Sequence, residues 1–148
     1  MHRTLLLGAL GSAKVSTTDL AGNFTTSYGG QSYGSSYVDS GTNGYFFLDT
    51  GTTGLPVCPD TADFYCPASS MTLSAVTFGA NGTSTPISFT ISNADQQLNM
   101  QLFSAFGNLG GPNAGVFAWG LPFFFGRSVF TAIEGQATPA GNGPYWAY

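Results

Sequence analysis

The sequence predicts an all-β domain with one or two short helical turns, and three observations carry that prediction. Glycine supplies 21 of the 148 residues and phenylalanine 13; glycine opens the turns that tight antiparallel connections need, and aromatic side chains favour packed sheet surfaces. Short apolar runs alternate with polar residues, most cleanly in Ile87-Ser88-Phe89-Thr90-Ile91, where three apolar side chains share one sheet face. Turn signals punctuate these runs at Gly29-Gly30, at Asn81-Gly82 and through the Gly/Pro/Asn-rich stretch 107–115.

Taken in order, Leu5-Leu6-Leu7-Gly8-Ala9-Leu10 superficially imitates a signal peptide, but Gly8 breaks it and Lys14 follows closely, so it reads as an internal strand. Phe24-Thr25-Thr26-Ser27-Tyr28 and Gln31-Ser32-Tyr33 flank the two glycines as a hairpin, and Ser36-Tyr37-Val38 begins another short strand running into Asp39. The stretch 49–67 carries Gly51, Gly54, Pro56, Pro59 and Pro67 and reads as a long loop. Met71-Thr72-Leu73-Ser74-Ala75 alternates, then slips phase at Val76-Thr77-Phe78, which predicts a strand with a bulge or a change of facing. It pairs with 87–91 around Asn81-Gly82.

Residues 93–106 fit two periods. Ala94, Leu98 and Leu102 form a helical stripe, whereas Leu98, Met100 and Leu102 alternate; the reading favoured is a loop and strand preceding a short helical turn. Val116-Phe117-Ala118-Trp119 is a strand that should end near Gly120, because Pro122 has no N–H for a ladder, and a helical turn should follow. Ser128-Val129-Phe130-Thr131-Ala132-Ile133 and the tail Tyr145-Trp146-Ala147-Tyr148 supply two further strands. There is no internal repeat and no interdomain linker, so 1–148 is read as a single lobe.

Composition narrows the function. Only 7% of residues are charged, three Lys or Arg stand against seven Asp or Glu, and no basic cluster occurs, so nucleic acid is excluded as a partner. No apolar run is long enough to span a bilayer as a helix. The sole histidine is His2, which leaves Cys58 and Cys66 without the further ligands a zinc site requires. A Gly-rich strand-to-helix phosphate loop is also missing, so neither metal nor cofactor is expected. Cys58 and Cys66 bracket seven residues and lack the tight Cys-x-x-Cys redox spacing; they are expected to form a structural disulfide. A disulfide and a surface built from Ser, Thr, Asn and Gly imply export, to the periplasm or the cell surface.

The chemistry-bearing feature is Asp39-Ser40-Gly41-Thr42, which follows an apolar run and leads through Asn43-Gly44 into Tyr45-Phe46-Phe47. About eighty residues later come Ala118-Trp119-Gly120, then Phe123-Phe124, then Val129-Phe130-Thr131-Ala132-Ile133. Together these resemble the catalytic loop and the second signature of aspartic peptidases, bilobal or homodimeric β proteins in which each half contributes one Asp. Nearly the whole chain further resembles the C-terminal half of a bacterial family of unknown function found in exported proteins and lipoproteins. The matching stretches include Gly22-Asn23-Phe24-Thr25-Thr26, 37–47, Phe64-Tyr65-Cys66-Pro67, 119–127 and Gly143-Pro144-Tyr145.

The resemblance implies an acid-protease barrel-like half with Asp39 as a catalytic carboxylate and Thr42 fixing it through a hydroxyl network. Gly41 would let backbone approach the carboxylate, with Ser40, Gly44 and Gly120 as structural positions. The second carboxylate would come from a missing N-terminal lobe or from a second copy, and the substrate would be a peptide. Asn43-Gly44 departs from the Ser and apolar segment that usually continue the loop, and Trp119 stands where a smaller aliphatic residue is common.

Plainer readings stand beside these. Asp39 also suits an ordinary turn carboxylate accepting backbone hydrogen bonds, and the whole chain suits a noncatalytic envelope, adhesion or peptide-binding module. Asp60 and Asp63 read as solvated loop residues, Glu134 as surface-facing, Arg127 as a local capping or pairing group, and Trp119 and Trp146 as core and edge packing.

Overall fold

A computed structural model describes residues 10–100 and 102–148. The strand expected at 5–10 lies outside the described residues apart from Leu10. Twelve strands are formed: β1 (Val15–Thr17), β2 (Phe24–Tyr28), β3 (Gln31–Val38), β4 (Tyr45–Leu48), β5 (Met71–Phe78), β6 (Ser84–Ile91), β7 (Gly110–Gly111), β8 (Asn113–Trp119), β9 (Phe130–Ala132), β10 (Ala137–Thr138), β11 (Gly141–Asn142) and β12 (Tyr145–Ala147). Two short helices, α1 (Thr50–Thr53) and α2 (Ala94–Leu98), and a 3-10 turn (Leu121–Phe124) accompany them among the described residues. The fold is thus mostly β with minor helical turns. No helix among the described residues is long and apolar enough to cross a membrane.

Seven strands form one sheet in the order β6-β5-β2-β3-β8-β4-β7, curled nearly into a barrel. Near its open seam the Ser92 N–H donates to the Asn108 carbonyl at 2.9 Å, tying the end of β6 to the segment entering β7. A second sheet, β1-β12-β9, packs the tail against the chain start, as expected for an apolar tail. Alternation decides what faces inward: Ile87, Phe89 and Ile91 are buried while Ser84, Pro86 and Ser88 are exposed.

The core is aromatic. Phe117 stacks on Phe47 and on Trp119, each at a 5.0 Å centroid separation, and Tyr45 and Phe89 meet Trp119 edge-on. Burial raises the Tyr28, Tyr45 and Tyr148 hydroxyls above their ordinary value of 10.0 and pushes Tyr65, whose hydroxyl donates to the Phe47 carbonyl at 2.9 Å, up to about 12. The unfolded chain releases these protons near pH 10 while the folded one retains them, so their contribution is fully present below pH 10. Stability is therefore expected to fall as pH rises from about 10 towards 12, measured as the urea midpoint at successive alkaline pH values.

Three elements differ from the sequence expectation. β5 carries no bulge, since its register with β6 is unbroken from Met71↔Ile91 to Phe78↔Ser84; the irregularity lies instead in the β2–β3 pairing, where Phe24 to Thr26 on β2 faces the longer step Ser36 to Tyr33 on β3. The hairpin arm from Gln31 and the strand at 36–38 are one strand, β3, which stays extended through Gly34 and Ser35 although the ladder with β2 skips both. At 93–106 the helix comes first and no strand forms among the described residues: the Asn93 side chain accepts the Gln96 N–H, and the buried Gln97 amide donates to the Ser92 carbonyl at 3.1 Å.

Cys58 and Cys66 are joined, with Cα atoms 4.7 Å apart, and close a small hairpin in which Val57 bridges Tyr65. Reciprocal backbone bonds, Cys58 N–H to Phe64 O and Cys66 N–H to Pro56 O, both 2.8 Å, already shape the loop. Replacing both cysteines with serine is expected to cost about 2 to 3 kcal/mol by releasing loop entropy in the unfolded chain. Urea denaturation of the double variant against the parent measures it.

Candidate functional site

β8 runs between β3 and β4, parallel to the first and antiparallel to the second. The loop joining β3 to β4 must therefore arch over the end of β8, and that loop is 39–44. Its seat is made of backbone. The Asp39 N–H donates to the Trp119 carbonyl at 3.0 Å, and the Leu121 N–H donates to the Thr42 carbonyl at 2.7 Å.

Within the arch, the Gly41 N–H donates to Asp39 Oδ1 and the Thr42 hydroxyl donates to Asp39 Oδ2, both at 2.8 Å. One oxygen is thus held by backbone and the other by a side chain, so the carboxylate has a fixed plane. Asp39 is half-buried at the rim of the sheet. Ser40 and Gly41 are exposed, and Thr42 is half-buried.

Two glycines permit the seat. A Cβ on Gly120 would stand 2.7 Å from the Thr42 carbonyl oxygen and closer still to that of Gly44. A Cβ on Gly44 would stand 2.9 Å from the Leu109 carbonyl oxygen, which accepts the Tyr45 N–H. Asp39, Gly41, Thr42, Gly44 and Gly120 are therefore brought together around one loop. Leu109, which sequence reasoning passed over, supports that loop from below and packs in a small core with Cys58 and Ala94. Only its place in a Gly-rich connection marked it, and that gives no cue to burial.

The other carboxylates have separate places. Asp19 Oδ1 accepts the Ala21 and Asn23 N–H groups, Asp49 caps α1 through Thr52, and Asp95 accepts the Thr61 hydroxyl at 2.6 Å. Asp60, Asp63 and Glu134 are exposed. Among the described residues no carboxylate dyad is evident. Arg127 lies 4.2 Å from the centroid of the Phe123 ring, a cation over an aromatic face. The one cluster of three metal-capable residues among the described residues is Cys58, Cys66 and Asp95, and its two sulfurs are spent in the disulfide.

Fold and site together define a β domain with a near-closed sheet that presents one oriented carboxylate on a backbone-seated loop. The chain belongs to the family described as "Protein of unknown function (DUF3443)", whose model matches residues 8–148. That match corrects the expectation that the chain corresponds only to the C-terminal half of such a family, since it covers nearly the whole chain. No curated protein and no solved structure matches it.

Proposed function

We propose that this chain is an exported aspartic-type peptidase lobe that works when a second Asp-bearing lobe, supplied by another copy or another polypeptide, faces Asp39. The observation carrying this reading is the loop geometry: Asp39 sits at the end of β3, clamped by the Gly41 N–H and the Thr42 hydroxyl, over a strand that ends at Gly120. That arrangement joins the two motifs whose order resembles the peptidase signatures. The disulfide and the low charge support export.

In the paired state, two close carboxylates share one proton because both cannot readily be charged. The ionised member takes a proton from water as the oxygen attacks a peptide carbonyl, and the protonated member gives its proton to the substrate. Thr42 and the Gly41 N–H hold one oxygen each of Asp39 throughout, so the plane of the carboxylate stays fixed while water is activated.

Hydrolysis of an unfolded protein such as reduced casein, followed across acidic pH, tests the proposal. Asp39→Asn is expected to lower the rate at least 100-fold to background with an unchanged near-ultraviolet spectrum, and Thr42→Val to lower it about 10-fold. Equal rates in Asp39→Asn and the parent would remove Asp39 from the chemistry. They would leave the second reading, a noncatalytic peptide-binding envelope module.

A further inference from the structure

We infer that the outer edge of β6 is a strand-addition site that takes an extended, uncharged peptide segment, apart from the Asp39 loop. β6 lies at one end of the seven-stranded sheet, with β5 and β2 between it and β3. Among the described residues it pairs only with β5, in unbroken register over all eight residues.

The direction in which its backbone groups point follows from parity. The Thr85 carbonyl accepts from the Thr77 hydroxyl on β5, so odd-numbered residues turn their backbone groups inward. Ser84 and Ser92 turn outward: Lys14 Nζ donates to the Ser84 carbonyl at 3.3 Å, and the Ser92 N–H donates to Asn108. Pro86, which has no N–H, occupies an outward position where a ladder loses nothing. Both ends of the edge are thus occupied, by Lys14 and by Asn108, while 86–90 lies open. Among the described residues nothing bonds the outward N–H groups of Ser88 and Thr90.

Those two donors and the carbonyls of Pro86, Ser88 and Thr90 recur at the two-residue spacing of a strand. A second extended backbone is the ligand whose own donors and acceptors repeat at that spacing. The bare stretch of about five residues suits a short segment, and Asn108 sets where it must end. Beside the edge, on the outer face, lies a depression of about 430 Å³. Ser27, Ser74, Val76, Pro86 and Ser88 line it, with Gly29 and Gly30 at its far side. No charged group lines it, so it accepts a small uncharged side chain from the added strand and disfavours Asp, Glu, Lys and Arg.

The experiment uses a capped eight-residue peptide of alternating threonine and valine, titrated into isotope-labelled protein and read through the backbone amides. Binding is expected to shift the Ser88 and Thr90 amide resonances and to slow their hydrogen exchange at least 10-fold. The same peptide N-methylated at alternate residues is expected to bind at least 10-fold more weakly, because it cannot form the ladder. Ser88→Pro removes one outward donor without touching the β5 ladder, as Pro86 already does, and is expected to weaken binding about 10-fold with an unchanged melting temperature. Asp39→Asn is expected to bind as the parent does, which separates this site from the proposed hydrolytic one. Equal binding of the N-methylated peptide, binding that leaves Ser88 and Thr90 unmoved, or no binding at millimolar peptide would overturn the inference. So would maltohexaose shifting the same amides where the peptide does not, since the serine-lined depression would then be a sugar site.

Discussion

Trp119→Ala is expected to destabilise the domain by about 4 kcal/mol, near the upper range for removing a large core side chain. The indole is fully buried and stacks on Phe117, with Tyr45, Phe89 and Phe123 around it at 5.2 to 5.8 Å. Its Nε1–H donates to Thr26 Oγ1 at 3.1 Å, and Thr26 is itself fully buried. Truncation therefore opens a cavity and leaves a hydroxyl unpaired, two costs that add in the same direction. Trp119→Phe keeps most of the ring contacts and loses the donor, so it should cost about half as much. Urea denaturation of both variants gives the comparison. A loss below about 2 kcal/mol for the alanine variant would mean that neighbouring rings collapse into the space and that the stack is not rigid.

Local signals in the sequence carried much of the fold. The β5–β6 hairpin was legible because Ile87, Phe89 and Ile91 alternate with polar residues around Asn81-Gly82, and the end of β8 because Pro122 cannot extend a ladder. What failed were elements whose inward positions are polar. Gln97 and Ser36 are buried, the one held by backbone carbonyls and the other donating to the Tyr33 carbonyl at 2.8 Å. A period in hydrophobicity cannot register either residue. The Asp39 loop was visible for a different reason: its two clamping bonds span two and three residues, so the motif contains its own geometry. The parallel pairing of Ser36 with Phe117, and Leu109 under Gly44, join residues far apart in the chain and left no local trace.

Gly120 separates steric demand from backbone freedom, and Gly120→Ala is expected to cost about 3 kcal/mol and to shift the Asp39 loop. Its φ of −78° is one that alanine adopts freely, so conformation contributes nothing to the cost. The obstacle is space: the new methyl would press on the Thr42 and Gly44 carbonyls, and both are backbone, which no change of rotamer moves aside. Either the arch lifts, breaking the Leu121 N–H to Thr42 O bond, or β8 withdraws from between β3 and β4. Gly54→Ala supplies the opposite case, with φ at 72° and open space around the would-be methyl, and should cost about 1 kcal/mol through conformation alone. The Gly41 amide resonance reports on the clamp, since that N–H holds Asp39 Oδ1. It should move in Gly120→Ala and stay in place in Gly54→Ala. If both variants leave it unmoved and cost the same, the close approach of Gly120 does not hold the loop, and the orientation of Asp39 must come from its own turn.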